Sequence, residues 1–269
     1  MNPKFSIGAC LVLCSMILAP LALADDKLRD AIDDPARPEA EKQRDQYRHP
    51  YETLLFFGIE PDMTVVEIAP GGGWYTEILG PYLREQGKLI GAHVDLESED
   101  TPAFYRDIFA AYESRISDAE RFGDLEVIAF NPPEKPKLGE PGSADMVLTF
   151  RSAHGWKRDG IFEDVIESAR EVLKPGGVLG VVQHRLPEDR DGEPYTGYVK
   201  QSWVVAMAES NGFRLLEASE INANPADTAD HPQGVWSLPP SLRQVVEENL
   251  PTYRAIGESD RMTLKFVKR

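Results

Sequence analysis

Three consecutive glycines after a short β-branched segment limit what the middle of this chain can form. The segment Thr64–Ile68 is β-branched except for Glu67, which predicts a buried strand carrying one acid. Gly71–Gly73 follow, and a helix is predicted over Trp74–Glu85. Glycines let a ligand approach the backbone closely, and a helix N-terminus offers unpaired N–H groups. We therefore expect a ligand-binding loop here, with a purely structural glycine turn as the alternative.

Strands and helices are predicted to alternate along the rest of the chain. Further strands are predicted at Lys88–Ala92, Leu125–Phe130, Asp145–Phe150, Val178–Gln183, Phe213–Ala218 and Met262–Val267. Helices are predicted at Pro102–Arg115, Ile161–Leu173, Tyr198–Asn211 and Leu242–Leu250. This alternation is typical of an α/β protein with a doubly wound, mostly parallel sheet. The polar, proline-rich segment Ile221–Pro240 is predicted to be a lid, a binding loop or a disordered segment.

The glycine loop does not fit a dinucleotide-binding fingerprint. The pattern Gly-x-Gly-x-x-Gly, begun at Gly71, needs a third glycine where Thr76 stands. The loop is closer to the first motif of class I S-adenosylmethionine-dependent methyltransferases, which the chain resembles from about Tyr51 to its C-terminus. The turn Lys174–Gly177 and the closing segment Leu264–Val267 add to this resemblance.

More narrowly, the chain resembles the members of that family that carry export signals. The supporting stretches are Tyr47–Pro50, Pro70–Glu77 and Asp230–Trp236. The resemblance implies a Rossmann-like methyltransferase fold over residues 51–269, with a seven-stranded sheet whose last strand is antiparallel. It also implies S-adenosylmethionine as the cofactor.

The resemblance further implies where parts of the cofactor would lie. The three glycines would pass under its methionine part, and Glu67 would hold the loop and meet its amino group. The family places an acid after the second strand for the ribose, where this chain has His93 and, two residues on, Asp95. It places an Asp after the third strand near the adenine, where this chain has Asn131. The expected cofactor-binding residues are Glu67, Pro70, Gly71, Gly72, Gly73, Trp74, Tyr75, His93, Asp95 and Asn131.

Histidines follow three of the predicted strands, at the edge where α/β sheets gather their sites. Two of them, His154 and His184, follow the fourth and fifth strands, which are normally adjacent, so these two side chains are expected to meet. His154 with Arg151 is the first candidate for acid–base catalysis near neutral pH. The alternatives are a metal site of both histidines and a carboxylate, and ordinary hydrogen-bonded loop histidines. Arg48, Arg151 and Arg185 could hold an anionic substrate, or pair with surface acids.

The N-terminus has the pattern of a signal peptide over residues 1–24. Lys4 supplies a positive charge, Ile7–Leu23 is almost entirely apolar or small, and Ala22–Ala24 ends in a small-x-small cleavage site. Cleavage there would remove both cysteines, Cys10 and Cys14. We therefore expect export to a bacterial periplasm, no membrane anchor after cleavage, and a solvated charged arm over residues 25–50.

The net charge of −16 argues against a general nucleic-acid binder, because neutralising phosphates requires an excess of Lys and Arg. The expected function is methyl transfer to a small-molecule or protein acceptor. The alternatives are an exported non-catalytic binding protein that retains the fold, and a hydrolase or metal-assisted enzyme that uses the histidines.

Overall fold

The computed structural model describes residues 18–99, 101–191 and 195–269. Both cysteines and most of the predicted signal peptide, residues 1–17, lie outside the described residues. The strands are β1 (Thr64–Ile68), β2 (Lys88–His93), β3 (Glu126–Ala129), β4 (Ala144–Phe150), β5 (Leu173–Leu186), β6 (Val199–Lys200), β7 (Phe213–Ser219) and β8 (Arg261–Lys268).

The strands form one sheet in the order β3-β2-β1-β4-β5-β8-β7, and the short β6 pairs with β5 off this path. Neighbours from β3 to β5 are parallel, whereas β8 runs antiparallel to both β5 and β7. All seven predicted strands form, and the antiparallel last strand is confirmed. The additional strand, β6, has two residues at the start of the predicted helix Tyr198–Asn211.

Eleven α-helices occur in the described part of the chain. They are α1 (Leu18–Asp33), α2 (Glu39–Lys42), α3 (Asp45–Arg48), α4 (Pro50–Phe57), α5 (Thr76–Leu83), α6 (Phe104–Ile116), α7 (Ala119–Phe122), α8 (Ala153–Asp159), α9 (Phe162–Val172), α10 (Gln201–Ser210) and α11 (Leu250–Ile256). None of the described helices is both long and apolar enough to cross a bilayer.

Helices cover both faces of the sheet because successive side chains of a buried strand point to opposite faces. Val66 of β1 packs in the cluster that includes Val165 of α9 and Val204 of α10. Its neighbour Val65 packs in the other cluster, with Leu54 of α4 and residues of α1 and α5. The parallel strands are thus buried on two sides, and their carboxyl ends are left to form the site.

The expectation of a solvated N-terminal arm is wrong. Leu28, Ala31 and Ile32 of α1 are buried and belong to the same core cluster as the apolar face of α5. Arg37 is also buried, donating hydrogen bonds to the Ile32 carbonyl and, at 2.9 and 3.0 Å, to the Asp45 carboxylate. The charged residues in this segment therefore form ion pairs over a layer of apolar side chains.

One helix predicted from the sequence does not form, and one observed helix is not predicted by it. The predicted helix Leu242–Leu250 does not form, because Leu242 and Gln244 have φ angles of 45° and 57°, which break a right-handed helix. A helix follows later, at α11. The helix α8, directly after β4, was not predicted, and it carries His154.

Candidate functional site

The loop after β1 forms an open cradle at the carboxyl edge of the sheet. A Cβ atom built on Gly71 or Gly72 would meet no atom within 4 Å. On Gly73, by contrast, it would lie 2.8 Å from Cδ of Arg115. Ala69 and Gly71 have φ angles of 54° and 59°, so the chain turns sharply before α5. Two of the three glycines therefore face open space, and the third allows α6 to pack behind the loop.

Glu67 lies beneath this cradle as a buried carboxylate, 2% exposed. Its Oε2 accepts a hydrogen bond of 2.6 Å from the Thr76 hydroxyl. Burial raises the pKa of Glu67 to about 7, against the lowering effects of Thr76, Arg151 and Arg115. The expected role of Glu67 in holding the loop is consistent with this bond between the end of β1 and the start of α5.

Above the cradle is a cavity of about 340 Å³, here called the glycine-loop cavity. Six of the expected cofactor-binding residues line it: Glu67, Pro70, Gly71, Gly72, Trp74 and Tyr75. Arg151, expected to be catalytic, lines it as well. The Tyr75 ring stacks on Phe150 with centroids 3.5 Å apart. These residues bring the carboxyl ends of β1 and β4 together around one space.

His93 does not line this cavity, in contrast to the ribose-binding role expected for it. It is 3% exposed, and its ring centroid lies 4.8 Å from that of Phe109 and 5.4 Å from that of Tyr112. Its Nε2 lies 3.3 Å from the Gly71 carbonyl oxygen, to which it donates. Burial lowers the pKa of His93, so the ring is neutral and packs between β2 and α6.

Asp95 and Asn131 are also not among the residues that line the glycine-loop cavity. The Asp95 carboxylate is 2.7 Å from the Lys135 ammonium, whose charge holds it on the loop after β2. The backbone of Asn131 exchanges hydrogen bonds with that of Lys135 in an isolated bridge. The three residues expected near the ribose and the adenine are therefore not part of this cavity wall.

An arginine wall, defined by Arg44, Arg48 and Arg151, separates this cavity from a second one. A single buried carboxylate, Glu258, accepts hydrogen bonds from Arg44 at 2.6 Å and from Arg48 and Arg261 at 3.1 Å each. Burial alone would raise the pKa of Glu258, but the arginines hold it at about 2. Three arginines thus share one carboxylate, and Arg48 retains a buried Nη1 without a partner among the described residues.

Arg151 differs from Arg44 and Arg48 because its guanidinium makes no hydrogen bond or ion pair with any described residue. Burial, with the charges of Arg261 and Arg44, lowers the pKa of Arg151 to about 10, although Glu258 partly offsets this. The side chain therefore stays protonated at neutral pH. Its φ angle of 63° follows directly on β4, and its backbone N–H donates to the Val182 carbonyl at 2.7 Å. The backbone thus holds an unpaired cation between the two cavities.

The second cavity, here called the histidine cavity, has a volume of about 290 Å³ and is lined by His154, His184 and the arginine wall on one side. The two histidine ring centroids lie 5.7 Å apart, which confirms that these side chains meet. The long loop contributes Val235, Trp236, Pro239 and Pro240 to the lining, and the Trp236 ring centroid is 5.7 Å from that of His154. The end of the segment Ile221–Pro240, here called the lid, therefore forms part of the wall of this cavity.

Hydrogen bonding fixes the tautomer of His154. The Gln183 amide donates to the Gly197 carbonyl at 3.0 Å, which orients the amide nitrogen toward His154 Nδ1, 3.3 Å away. His154 Nδ1 therefore accepts, and Nε2 carries the proton. Burial lowers the pKa of His154 to about 4, with Arg158 and Arg151 adding to the effect. The ring is a neutral hydrogen-bond donor, which disfavours the proton-accepting role expected for it.

His184 is the second neutral imidazole of the cavity. Its Nδ1 lies 2.5 Å from the Ser259 hydroxyl. Burial, together with nearby His154 and Arg151, keeps the pKa of His184 well below its usual value. No group of three His, Cys, Asp or Glu residues suited to a metal ion occurs among the described residues.

The lid segment is anchored by Asp227, a carboxylate buried beside the cavity. It accepts hydrogen bonds of 2.9 Å from the Tyr198 hydroxyl and His231 Nε2, and of 2.8 Å from the Asp260 backbone N–H. Burial alone would raise the pKa of Asp227, but these bonds and one from the Ala229 backbone lower it. The sequence patterns missed this anchor, because Asp227 and its partners are separated along the chain.

Several cavity residues were not singled out from sequence. Glu41 and Arg115 line the glycine-loop cavity and form an ion pair of 2.6 Å that ties α2 to α6. Arg44 and Glu258 belong to the arginine wall. Of the arginines that were named, Arg48 and Arg151 line the cavities, whereas Arg185 pairs with Asp260 and Glu220. Arg44 and Arg48 lie close together in the sequence just before α4, and this concentration of arginines is the feature from which part of the wall could be predicted.

Comparisons with known proteins agree with the sheet topology. The sterol 24-C-methyltransferase ERG6A of Gibberella zeae is 26% identical over 216 residues, which are 74% of this chain and 50% of that protein. ERG6B of the same organism is 26% identical over 215 residues, or 73% of this chain and 50% of that protein. The chain thus spans about half the length of these curated relatives. No protein-family model matches it.

Solved structures give the same fold. A SAM-dependent methyltransferase from Aquifex aeolicus aligns with a TM-score of 0.57 at 16% identity, covering 91% of this chain and 98% of that one. The [4+2]-cyclase SpnF aligns with a TM-score of 0.59 at 12% identity, covering 93% and 94%. A protein described as a cyclase shares this fold, so the fold does not by itself fix the reaction.

Proposed function

We propose that this chain, which has the fold of the class I S-adenosylmethionine-dependent methyltransferases and resembles them in sequence, transfers a methyl group from that cofactor. The observation that carries the proposal is the cradle itself. Gly71 and Gly72 face open space above the buried Glu67, at the carboxyl end of the central strand β1. Backbone groups and a carboxylate placed in this way suit the amino-acid half of the cofactor.

The residues present fit that half of the cofactor more closely than its adenosine half. Glu67 would meet the amino group from below, and Tyr75 would close one side of the space. When bound, S-adenosylmethionine would supply an electrophilic methyl group on a sulfonium. The ribose would have to be recognised by groups other than His93 and Asp95, which face α6 and Lys135.

The histidine cavity is the proposed site of the methyl acceptor. It shares the arginine wall with the glycine-loop cavity, so molecules in the two spaces would approach each other across Arg151. The lid, with Trp236, would limit the access of water to this junction. Positioning and exclusion of water are the contributions we assign to the protein in such a displacement.

Calorimetric titration of the full chain with S-adenosylmethionine and S-adenosylhomocysteine tests the cofactor site. Gly72→Leu should abolish binding, because the leucine side chain would occupy the space above the loop. The fold should tolerate this change, since a Cβ atom on residue 72 meets no protein atom within 4 Å. Gly155→Leu is the matched control, since Gly155 has equally open space on α8 and lies outside the cavity lining. Absence of binding to the unchanged protein at millimolar ligand would reject the proposal.

The alternative of a non-catalytic binding protein is favoured by one observation, the missing ribose and adenine contacts. The two functions differ in turnover. A methyltransferase would form S-adenosylhomocysteine when supplied with an acceptor, whereas a binding protein would hold the ligand unchanged. Mass spectrometry of the ligand after incubation with a panel of small-molecule acceptors separates them.

Export to a periplasm is also part of the proposal, on the strength of the basic, apolar and small-x-small pattern over residues 1–24. Cleavage after Ala24 would leave Asp25–Asp33 of α1, including the buried Leu28. N-terminal sequencing of the protein from a periplasmic fraction would test this, and a chain that keeps its first residues in the cytoplasmic fraction would contradict it.

A further inference from the structure

We infer that the histidine cavity takes a small organic acid, whose acid group binds Arg48 and Arg151. This inference rests on the proposed function, because it assigns the acid as the methyl acceptor. It goes beyond that function by naming the chemical class of the substrate and the residues that would select it.

The charge around the cavity is the first argument. Three arginines and one carboxylate, Glu258, line it, while both histidines are neutral. The only described anion among its lining residues is already shared by Arg44, Arg48 and Arg261. Arg151 is a half-buried cation without a counter-charge, which is unfavourable, so a ligand anion would complete this set.

The second argument is the set of free donors. Arg151 has no hydrogen-bond or ion-pair partner among the described residues, and a buried Nη1 of Arg48, which is 2% exposed, is unpartnered. A guanidinium donates two parallel hydrogen bonds to a carboxylate or phosphate. Arg185, by contrast, is a fully paired arginine, since it donates hydrogen bonds to both Asp260 and Glu220.

The third argument is the apolar part of the lining. Val235, Trp236, Pro239 and Pro240 of the lid line the same space as the arginines and histidines. A ligand with a charged end and an apolar or aromatic body matches this mixed lining. The His154 Nε2–H provides a further donor for an oxygen on that body. A sterol, as named for the curated relatives, has no charge to pair with Arg151, and the cavity does not suit it.

The acid group could come from two sources, because Arg151 lines both cavities. One is the methyl acceptor, as we infer. The other is the carboxylate of the cofactor itself. The two sources differ in what happens when the cofactor site is filled: an acceptor acid would still bind, whereas an acid competing for the cofactor's own carboxylate site would be displaced.

The test uses benzoate as the probe and benzamide as its uncharged match. Both are titrated into the full chain saturated with S-adenosylhomocysteine, and binding is followed by calorimetry or ligand-observed NMR. We expect benzoate to bind at least about tenfold more tightly than benzamide, as a charged, bidentate contact should. Arg151→Met should remove this preference, and Arg214→Met should keep it, since Arg214 is exposed on β7 and does not line the cavity.

Thermal unfolding separates a binding role from a structural one. Arg151→Met removes an unpaired, half-buried cation, so the ligand-free variant should unfold at the same or a higher temperature. Benzoate should raise the melting temperature of the unchanged protein and leave that of the variant unmoved. Arg48→Met, which breaks a buried pair with Glu258, should lower both stability and benzoate affinity.

Equal binding of benzoate and benzamide would overturn the inference. So would an Arg151→Met variant that loses S-adenosylhomocysteine affinity but keeps benzoate binding, because the arginine would then serve the cofactor. If S-adenosylhomocysteine does not bind at all, the proposed function fails, and with it the acceptor role. Benzoate binding to the ligand-free protein would then show separately whether the acid site exists.

Discussion

Glu67 shows how a single residue links burial to ligand binding. Its pKa of about 7, raised by burial, means that the carboxyl is partly protonated at neutral pH in the ligand-free protein. The amino group of the cofactor would favour the ionised form, so binding would release a proton. The affinity for S-adenosylhomocysteine should therefore increase about tenfold from pH 6 to pH 8.

Calorimetry at several pH values, in buffers of different ionisation enthalpy, measures both the affinity and the released proton. Glu67→Gln should bind more weakly and show no change in affinity over this range. A pH dependence that persists in the variant would mean that another group titrates.

His154 shows which properties a sequence pattern can and cannot give for one residue. The pattern located it after the fourth strand and near His184, and the structure agrees. Its chemistry depends on Gln183, a residue of β5 that the amide–carbonyl bond to Gly197 orients. That contact joins three separate segments, so spacing alone could not reveal that Nδ1 accepts and Nε2 donates.

The strands were predicted well because β-branched runs between glycines and prolines are a local signal. Thr64–Ile68 forms as predicted, and five other predicted strands differ by about one residue at their ends. The strand β5 begins five residues earlier and ends three residues later than predicted, so the predicted turn Lys174–Gly177 lies within it. The helix α8 was missed because Arg151–Trp156 is short and mixed in character. The segment 25–50 is predicted to be a solvated arm because its apolar residues are few. Leu28, Ala31 and Ile32 are nevertheless spaced for one helix face.

At the scale of elements, the lid should depend on its anchor. Asp227→Asn would weaken the acceptance of hydrogen bonds from Tyr198, His231 and the Asp260 backbone, so the segment 221–240 should open more readily. We expect a loss of about 1–3 kcal/mol in stability, with faster amide exchange concentrated in the lid. Urea unfolding and hydrogen–deuterium exchange measure the two effects.

The control is Asp230→Asn, which changes a carboxylate on the same segment that is exposed and bonds to the neighbouring Thr228. It should alter stability by less than about 0.5 kcal/mol. Equal effects of the two substitutions would show that the lid does not depend on Asp227.

At the scale of the whole molecule, α1 is part of the core rather than an appendage. Leu28→Ala should cost about 2–5 kcal/mol in the free energy of unfolding, because Leu28 is fully buried between α1 and the helices of the main domain. Leu55→Ala is the control: Leu55 is 43% exposed on α4, and its truncation should cost much less. Chemical denaturation of both variants measures the difference, and similar values would place α1 outside the cooperative fold.

The stability of the whole ligand-free molecule should depend on pH through groups of opposite sign. The pKa of His154 is lowered to about 4 in the folded protein, so this side chain binds more protons in the unfolded chain. Its contribution to stability is therefore lost as pH falls below about 6.5. The pKa of Glu67 is raised to about 7, so its contribution is lost as pH rises from about 4.5 to 7. Between pH 5 and pH 7 each amounts to about 2 kcal/mol, and the two nearly cancel.

His184 also has a lowered pKa, which leaves the balance in favour of greater stability at pH 7 than at pH 5. Urea unfolding at these two pH values tests the assignment in two variants that should move in opposite directions. His154→Gln should reduce the difference in unfolding free energy between pH 7 and pH 5 by about 2 kcal/mol. The substitution removes a side chain that binds a proton less readily in the folded protein than in the unfolded chain. Glu67→Gln should enlarge the same difference by about the same amount. If both variants changed this free-energy difference in the same direction, the assignment of a lowered pKa to His154 and a raised pKa to Glu67 would be wrong.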